Sequence, residues 1–336
     1  MRRPTIGDIA RRAGVSKGAV SYALNGRPGV SEETRRRILR IASEIGWQPS
    51  SAARALSDGR ADVLGLVVDR PARTLGLEPF FMQLISGIEG ALSARSIGLL
   101  LHMTEDQETE IDIYRRWWAQ RRVDGVILVD LRVADPRVAV LEELRMPAVV
   151  IGGPEGVGGL PAVWSDDAEA IRAVVEYLAA LGHRTIARVA GVASLRHTET
   201  RTRAMEAVAA ELGVETVTIN TDYSGEEGAS ATRSLLARRS RPTAIVYDND
   251  VMALAGVAVA QEMGVPVPEG VSIVAWDDSP LCRLVHPSLS AVSRDIAAYG
   301  ARAAECLLDV IAGRRIEGFQ DATPKLVPRG STAPPA

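Results

Sequence analysis

Cysteine is scarce in this chain of 336 residues, and long apolar runs are missing from it. Its two cysteines, Cys282 and Cys306, belong to no CxxC motif, so we expect neither a disulfide framework nor a structural zinc site. No apolar run reaches the length of about 18 residues that a membrane-spanning helix needs. Met1-Arg2-Arg3 is not followed by the apolar segment of a secretory signal, so the sequence predicts a cytoplasmic protein without a membrane partner.

The sequence motifs of common enzymes are missing as well. There is no GxSxG nucleophile elbow, no GxGxxG after the first predicted strand and no GxxxxGK[ST] phosphate-binding loop. The histidines are scattered and show no metal-ligand spacing such as HExxH; they are His102, His183, His197 and His286. We therefore predict a protein that is not an enzyme and needs neither a metal nor a cofactor.

Charge is distributed unevenly along the chain, although the net charge is only −3. Residues 1–60 carry 12 Lys and Arg against 5 Asp and Glu, which gives a net charge of +7. The remaining 276 residues carry 27 and 37, which gives −10. A basic segment on an acidic body is typical of a nucleic-acid-binding arm.

Residues 5–45 carry the pattern of three short helices. Apolar residues recur three and four positions apart in each helix. A small polar residue precedes each helix and can accept a hydrogen bond from its first turn. These capping residues are Thr5, Ser16 and Ser31. The N-terminal segment is therefore predicted to form a small helical head.

Gly14 separates the first helix from the second, which is predicted over residues 17–24. A helix, a tight turn with glycine and a second helix form the helix-turn-helix pattern. In such motifs the start of the second helix faces base edges in the major groove of DNA. The residues expected there are Lys17, Gly18, Ser21 and Tyr22. A generic helical bundle is the alternative, and the local basic excess favours a DNA reader.

A hinge is predicted over residues 47–60, between a head at 1–46 and a body that begins at 61. Pro49 disfavours continuation of the third helix. The short segment that follows could form two helical turns, which are too few to be stable alone. Such a segment folds only when it is paired or docked on DNA.

From Val63 onward, short apolar runs alternate with amphipathic helices. Strands are predicted at 63–68, 98–102, 126–129, 148–151, 185–190, 215–219, 244–247 and 272–276. This alternation is typical of parallel βαβ units. The Gly- and Pro-rich segment 152–159 divides it into two lobes. The predicted fold class is therefore α/β, with a helix-turn-helix head and two doubly wound parallel sheets. Ligands of such sheets lie beyond the carboxyl ends of the strands, which predicts a cleft between the lobes.

Motifs along the whole chain follow an order that is strongly specific when taken together. In the head and hinge they are Thr5-Ile6-Gly7-Asp8-Ile9-Ala10, Ala13-Gly14-Val15-Ser16 and Trp47-x-Pro49-x-x-Ala52-x-Arg54-x-Leu56. In the body they include Asp124-Gly125-Val126-Ile127-Leu128, Asn249-Asp250-Val251-Met252-Ala253 and Val274-Ala275-Trp276-Asp277-Asp278. Over about residues 5–332 the chain resembles the lactose-repressor (LacI/GalR) family of transcription regulators.

This resemblance implies a body like the periplasmic binding proteins. The first lobe would span 61–160, completed by about 291–318, and the second 161–290, completed by about 322–332. The resemblance also implies a homodimer on pseudo-palindromic operator DNA, in which Leu56 of each paired hinge wedges between base steps of the minor groove. The residues expected to bind DNA are Thr5, Ser16, Lys17, Gly18, Ser21, Tyr22, Asn25, Ser50, Ala53, Arg54 and Leu56.

A small-molecule effector between the lobes, a sugar or a sugar derivative, is also implied by the resemblance. The residues expected to bind it are Arg201, Tyr223, Asn249, Asp277 and Asp166. Arginine, carboxylate and amide groups can chelate vicinal hydroxyls, and an aromatic ring can cover the C–H face of a sugar. Each residue has an alternative role in a helix cap or a salt bridge. Segment 69–80 is longer than the common loop of the family and would overhang the cleft, which leaves the effector's identity open.

Together these features predict a transcription regulator, a repressor whose operator affinity is controlled by its effector. Whether the effector releases DNA or promotes its binding stays open. A periplasmic sugar-binding protein would share the two-lobed body. The basic head and the missing secretory signal favour the regulator.

Overall fold

The computed structural model describes residues 4–47, 59–70, 76 and 78–336 of the chain. Two compact units divide between Ala61 and Asp62. The smaller unit contains the helices α1 (Ile6–Ala13), α2 (Lys17–Leu24) and α3 (Glu32–Glu44). All three lie where the sequence predicts them.

Polar side chains fix the start of each helix in the head. The carboxylate of Asp8 accepts hydrogen bonds from the backbone nitrogen and the hydroxyl of Thr5, at 2.9 and 2.7 Å. Ser16 Oγ accepts from the backbone nitrogen of Ala19 at 3.1 Å. Gly14 has φ +66°, a conformation that glycine adopts at little cost. The three helices close on one core, whose fully buried side chains include Ile9, Val20 and Ile38.

The first sheet of the larger unit is parallel throughout. Its strands are β1 (Val63–Asp69), β2 (Gly98–Thr104), β3 (Gly125–Leu128), β4 (Ala148–Ile151), β5 (Ala162–Trp164) and β11 (Gly318–Gln320). They lie in the order β11-β5-β4-β3-β1-β2. The central strands β3 and β4 are buried along their whole length, as expected for a sheet covered on both faces.

The second sheet repeats this arrangement with one antiparallel edge. Its strands are β6 (Thr185–Ala190), β7 (Glu215–Asn220), β8 (Ala244–Tyr247), β9 (Ser272–Trp276), β10 (Ser290–Ser293) and β12 (Lys325–Val327). They lie in the order β12-β10-β9-β8-β6-β7, and β12 runs antiparallel to β10. The predicted fold class of two α/β lobes is confirmed.

Helices cover both sheets. Those of the first part of the body are α4 (Pro79–Ser93), α5 (Gln107–Ala119) and α6 (Pro136–Leu144). The second lobe contains α7 (Asp167–Ala180), α8 (Arg196–Leu212), α9 (Gly225–Leu236), α10 (Asp250–Glu262) and α11 (Leu281–Leu284). The last helix, α12 (Ile296–Ile311), returns to the first lobe and packs on α4. Within the described ranges, no helix is both long and apolar enough to cross a membrane.

The chain passes between the lobes three times, at 165–166, at 294–295 and at 321–324. Strand β5 lies in the first sheet, so the first lobe continues past the predicted boundary at 160. Strand β10 lies in the second sheet, so the return to the first lobe begins after Ser293, not at 291. These strands are only three or four residues long, so the sheet with which each one pairs decides to which lobe it belongs.

Two glycines bring α4 and α12 into close contact. A Cβ atom on Gly87 would lie 1.8 Å from the backbone oxygen of Ala297, and one on Gly300 would lie 2.3 Å from the backbone oxygen of Leu84. The helix backbones therefore approach closely at both points. This contact fixes the start of α12, which carries Tyr299 to the interlobe cleft described next.

Candidate ligand cleft and DNA-binding helices

A cleft of about 880 Å³, counted with its open mouth, lies between the two lobes. Much of its wall consists of residues that follow the carboxyl ends of strands, where ligands of parallel sheets bind. These include Arg70, Asp130, Gly152 and Ser165 from the first lobe and its edge, and Tyr223, Asp248 and Asp277 from the second. The helices add Phe80, Phe81, His197, Arg201 and Tyr299, and Glu78, the residue before α4, also lines the cleft.

Arg201 is held in the second lobe by an aromatic face and two carboxylates. Its guanidinium carbon lies 3.8 Å from the ring centroid of Trp276. Its nitrogens lie 3.1 Å from a carboxylate oxygen of Asp167 and 3.8 Å from one of Asp248. Burial would lower the pKa of Arg201, but Asp167 and Asp248 outweigh it and raise that pKa. The guanidinium is therefore charged and fixed in orientation.

Asp248 in turn is held by hydrogen bonds from other residues of the second lobe. Arg188 is fully buried and donates to both carboxylate oxygens, at 2.8 and 2.6 Å. The backbone nitrogen of Gly191 donates to the same carboxylate at 3.1 Å. Because most of its acceptor capacity is used here, Asp248 orients Arg201 more than it offers a free oxygen to a ligand.

Asp277 lies on the wall, as the resemblance implies. It directly follows β9 at φ +64° and is 7% exposed. Its Oδ1 lies 3.3 Å from Nε of Arg294, which follows β10. Burial raises the pKa of Asp277, although Arg294 and Arg201 oppose this shift. A ligand hydroxyl would meet a carboxylate and a guanidinium side by side at this point.

Tyr223 also lines the cleft, and its polar end is fixed within the second lobe. Its hydroxyl lies 2.6 Å from Nε2 of His197 and 3.3 Å from Oγ1 of Thr198. Burial, with a contribution from Arg201, lowers the pKa of His197 to about 4, so this imidazole is neutral at pH 7. The guanidinium carbon of Arg70, from the first lobe, lies 5.0 Å from the ring centroid of Tyr223.

Two of the five expected effector residues do not lie on the wall. Asn249 caps α10, since its side chain accepts from the backbone nitrogen of Met252 at 2.8 Å and donates to the backbone oxygen of Tyr223 at 3.0 Å. Asp166 caps α7 by accepting from the backbone nitrogen of Glu169 at 2.9 Å. The adjacent residues Asp248 and Asp167 face the cleft instead. The capping role, which was the alternative for both residues, is the one the structure shows.

The first lobe contributes a charged cluster that the sequence reasoning missed. Arg70 pairs with Asp130 at 2.9 Å and lies 3.9 Å from Glu78. Arg70 directly follows β1, and Asp130 lies two residues after β3. The rule that ligands bind beyond strand ends would have found both. Glu78 gives no such signal, because it precedes a helix.

Aromatic rings complete the first-lobe wall. Phe80, Phe81, Trp164 and Tyr299 all line the cleft. Arg294 lies over two of these rings, with its guanidinium carbon 5.2 Å from the centroid of Phe80 and 5.4 Å from that of Tyr299. Apolar ring surface of the first lobe therefore lines the same cleft as the guanidinium and carboxylate groups of the second lobe.

Backbone hydrogen bonds join the lobes at the rim of the cleft. The backbone nitrogen of Val133 donates to the oxygen of Ser194 at 2.9 Å, and that of Arg196 donates to the oxygen of Leu131 at 2.8 Å. The guanidinium of Arg196 lies 3.7 Å from Glu155 of the first lobe. The lobes thus touch next to the ligand cleft.

In the head, α2 presents its start to solvent. Lys17 and Gly18 are exposed, Ser21 is half-buried and Tyr22 is 46% exposed. Asn25 ends the helix, and its side-chain nitrogen lies 3.5 Å from the hydroxyl of Ser21. These positions leave α2 free to meet base edges. The expected contacts Ser50, Ala53, Arg54 and Leu56 lie outside the described residues.

Comparison with known proteins decides the family. Residues 5–50 match the bacterial regulatory proteins of the lacI family, and residues 175–332 match a periplasmic binding protein-like domain. The HTH-type transcriptional regulator CelR of Thermobifida fusca is 34% identical over 322 residues, which cover 94% of each chain. The chain belongs to the LacI family. This LacI-family protein is therefore a DNA-binding transcription regulator and not an enzyme, and both predictions are confirmed.

Two solved structures resemble this regulator over nearly its whole length. A complex of CelR with cellobiose is 30% identical, with a TM-score of 0.74, and covers 98% of this chain and 100% of its own. A lac repressor dimer bound to operator and the anti-inducer ONPF is 25% identical, with a TM-score of 0.86, and covers 99% and 100%.

Proposed function

We propose that this LacI-family regulator is a repressor whose affinity for operator DNA is controlled by a sugar or sugar derivative in the interlobe cleft. One observation carries the proposal: Arg201 and Asp277 of the second lobe line the same cleft as Phe80, Phe81 and other aromatic rings of the first lobe. A guanidinium and a carboxylate can together bind vicinal hydroxyls, and aromatic rings cover the C–H surface between them. The cellobiose bound by the similar CelR supports a ligand of this class.

The test begins with a ligand screen on the full-length protein. A sugar present at about 100 times its Kd should stabilise the folded protein by about 2.7 kcal/mol, which a thermal-shift assay detects. Operator DNA is selected from a random pool and titrated with and without the sugar. We expect a change of about 5- to 150-fold in operator affinity, in either direction. A sugar that binds in the cleft but leaves operator affinity unchanged would contradict the regulatory part of the proposal.

We further propose a homodimer on a pseudo-palindromic operator. One small head makes too few contacts for high specificity, so LacI-like heads act in pairs. The packed elements α4 and β2 carry exposed apolar side chains, Met82, Leu101 and Met103. Exposed methionine and leucine are expected where a second subunit covers them.

Met103→Glu tests this face. The change puts a charge into the proposed interface, so we expect a monomer in sedimentation and an operator affinity at least tenfold lower, whereas Met263→Glu, in the second lobe, should leave both unchanged. Met263 is similarly exposed, at 41% against 42% for Met103. A dimeric Met103→Glu protein that protects a symmetric site in footprinting would show that the interface lies elsewhere.

A further inference from the structure

Glu78 places a buried carboxylate on the cleft wall, immediately before α4. The residue is 6% exposed, and its Oε2 makes no hydrogen bond with the described part of the chain. Arg70 is 3.9 Å away and binds Asp130 more closely, at 2.9 Å. A buried carboxylate oxygen without a close donor among the described residues costs free energy, so Oε2 is placed to accept a hydrogen bond from a ligand.

The cations of the wall are already paired with other carboxylates. Arg201 binds Asp167 at 3.1 Å, and Arg294 lies 3.3 Å from Asp277. Arg196, at the rim, binds Glu199 at 2.9 Å. Some guanidinium nitrogens of the wall make no hydrogen bond with the described residues, but the charge of each guanidinium is balanced by a carboxylate. An anionic ligand would therefore add unbalanced negative charge to the cleft and would also face Glu78. In a site shielded from water the repulsion between two such charges is strong.

We propose that Glu78 is an effector-binding residue that accepts hydrogen bonds from hydroxyl groups of an uncharged carbohydrate and excludes anionic sugars. This inference rests on the proposed sugar-binding function of the cleft. A carboxylate accepts hydrogen bonds and cannot donate them, so it selects hydroxyl donors over phosphate or carboxylate groups. Glu78 is the last residue before α4, which gives the start of this helix a role in selecting the ligand.

The charged groups around Glu78 provide a second test of the proposal, which is the pH dependence of sugar binding. Burial raises the pKa of Glu78 to about 7, although Arg70 opposes the shift. The charges of Asp130, Asp277 and Asp250 raise the pKa of this carboxyl further. Hydroxyl donors stabilise the ionised form, so the affinity for a neutral sugar should increase from pH 6 to pH 8. Glu78→Gln should lose this increase.

The experiment uses the full-length protein with Glu78→Gln and Glu78→Ala, and Glu89→Gln as the matched control. Glu89 lies on the same helix away from the cleft, where it accepts from Ser93 Oγ at 2.9 Å. The probes are cellobiose, maltose and lactose, each with its alditol and its aldonate. Alditol and aldonate share the opened ring and differ in charge. Binding is measured by calorimetry.

We expect the wild type to bind at least one disaccharide and to prefer the alditol over the aldonate by more than tenfold. Glu78→Ala should weaken disaccharide binding about 10- to 100-fold, the range for a hydrogen bond to a charged group. Glu78→Gln should weaken it less and reduce the preference for the alditol. If neither the alditol nor the aldonate binds the wild type, the test depends on the disaccharides. The Glu78 variants should then bind a disaccharide more weakly, and Glu78→Gln should lose the pH dependence of this binding. Glu89→Gln should behave as the wild type.

Two results overturn the inference while the sugar-binding function stands. One is an aldonate that binds the wild type as tightly as its alditol. The other is a disaccharide whose affinity and pH dependence are the same in Glu78→Gln and Glu89→Gln. If no disaccharide or derivative binds the wild type, the proposed function fails for this ligand class, and the inference fails with it.

Discussion

At the scale of single residues, Arg201 shows how a buried charge can be prepared for a ligand. Asp167 and Asp248 hold its guanidinium, and Trp276 supports one face of it. Arginine's planar fork is suited to such a site, because little side-chain freedom remains to be lost when hydroxyls bind. Lysine at this position would keep the charge but lose both the fork and the contact with the ring.

Arg201→Ala and Asp277→Ala should each shift the response to higher effector concentrations, while operator affinity without effector stays close to the wild-type value. The physical reason is that both side chains lie on the cleft wall and none of the DNA-facing head is altered. We expect effector binding to weaken about 10- to 100-fold. Operator titration against effector measures this, with Arg203→Ala, on the exposed side of α8, as control. Unchanged effector midpoints in both variants would show that the effector binds elsewhere.

Glu78 should also make the stability of the body depend on pH. Its pKa is raised to about 7 in the folded protein, mainly by burial, from an ordinary value of 4.5. The folded state therefore binds the proton more tightly than the unfolded state does. The stability it contributes is complete below about pH 4.5 and is lost as pH rises through about 7.

Glu78→Gln removes this dependence. Between pH 5 and pH 8 the wild type should lose up to about 3 kcal/mol relative to the variant. Urea unfolding of both proteins across this range measures the difference. A constant difference between the two at all pH values would show that Glu78 is ionised throughout.

At the scale of helices and strands, local pattern was sufficient where an element is long or fully buried. The strands at 148–151, 185–190, 244–247 and 272–276 begin and end where the sequence predicts them. The three-residue strands β5 and β11 have no periodicity of their own. They pair with each other although about 150 residues separate them, and no local pattern reports that contact.

In the candidate site, too, local sequence pattern predicts some individual residues correctly and not others. Tyr223, Arg201 and Asp277 lie on the wall as the resemblance implies. For Asp166 and Asn249, which cap their helices, a neighbouring residue lines the cleft instead: Asp167, the first residue of α7, and Asp248, which lies between β8 and the cap of α10. A motif specifies the turn, whereas the side-chain direction depends on where the helix begins.

The close contact of α4 and α12 should tolerate no side chain at Gly87. Gly87→Ala would place a Cβ against the backbone of Ala297, so the helices must separate, and we expect the body to lose about 3 kcal/mol of stability. Gly90→Ala, in the same helix, meets no atom within 4 Å beyond the adjacent backbone of that helix and should stabilise by up to about 1 kcal/mol. Thermal unfolding of both variants tests the pair. If Gly87→Ala is as stable as Gly90→Ala, the helices do not pack this closely.

At the scale of the whole molecule, effector control requires two states of the body that bind the effector differently. The lobes are joined by three crossings of the chain and touch at Val133 and Arg196 beside the cleft. A ligand on both walls can therefore favour one lobe arrangement over another. The predicted hinge, at 47–60, directly precedes the first strand of the first lobe. Helical turns this short are marginal alone, so a small change in lobe arrangement would be enough to form or to melt them.

Leu56→Ala tests whether the hinge carries this control to DNA. Leu56 lies outside the described residues, and its role as a wedge between base steps is a prediction from the resemblance. Inserting an apolar side chain between base steps costs the free energy of unstacking them. Additional contacts between the protein and the bent DNA offset this cost. Its removal should reduce DNA bending and lower operator affinity, while effector binding to the cleft stays at the wild-type value.

Electrophoretic bending assays and calorimetry with effector measure these two properties separately in the same protein. Leu56→Met supplies the control, because methionine is flexible, apolar and of similar size, and should retain most of the bend. If Leu56→Ala bends operator as the wild type does, intercalation is not the function of this residue. If bending is lost but effector still changes operator affinity by the wild-type factor, the hinge forms without the wedge. The coupling would then lie in the ordering of the hinge backbone.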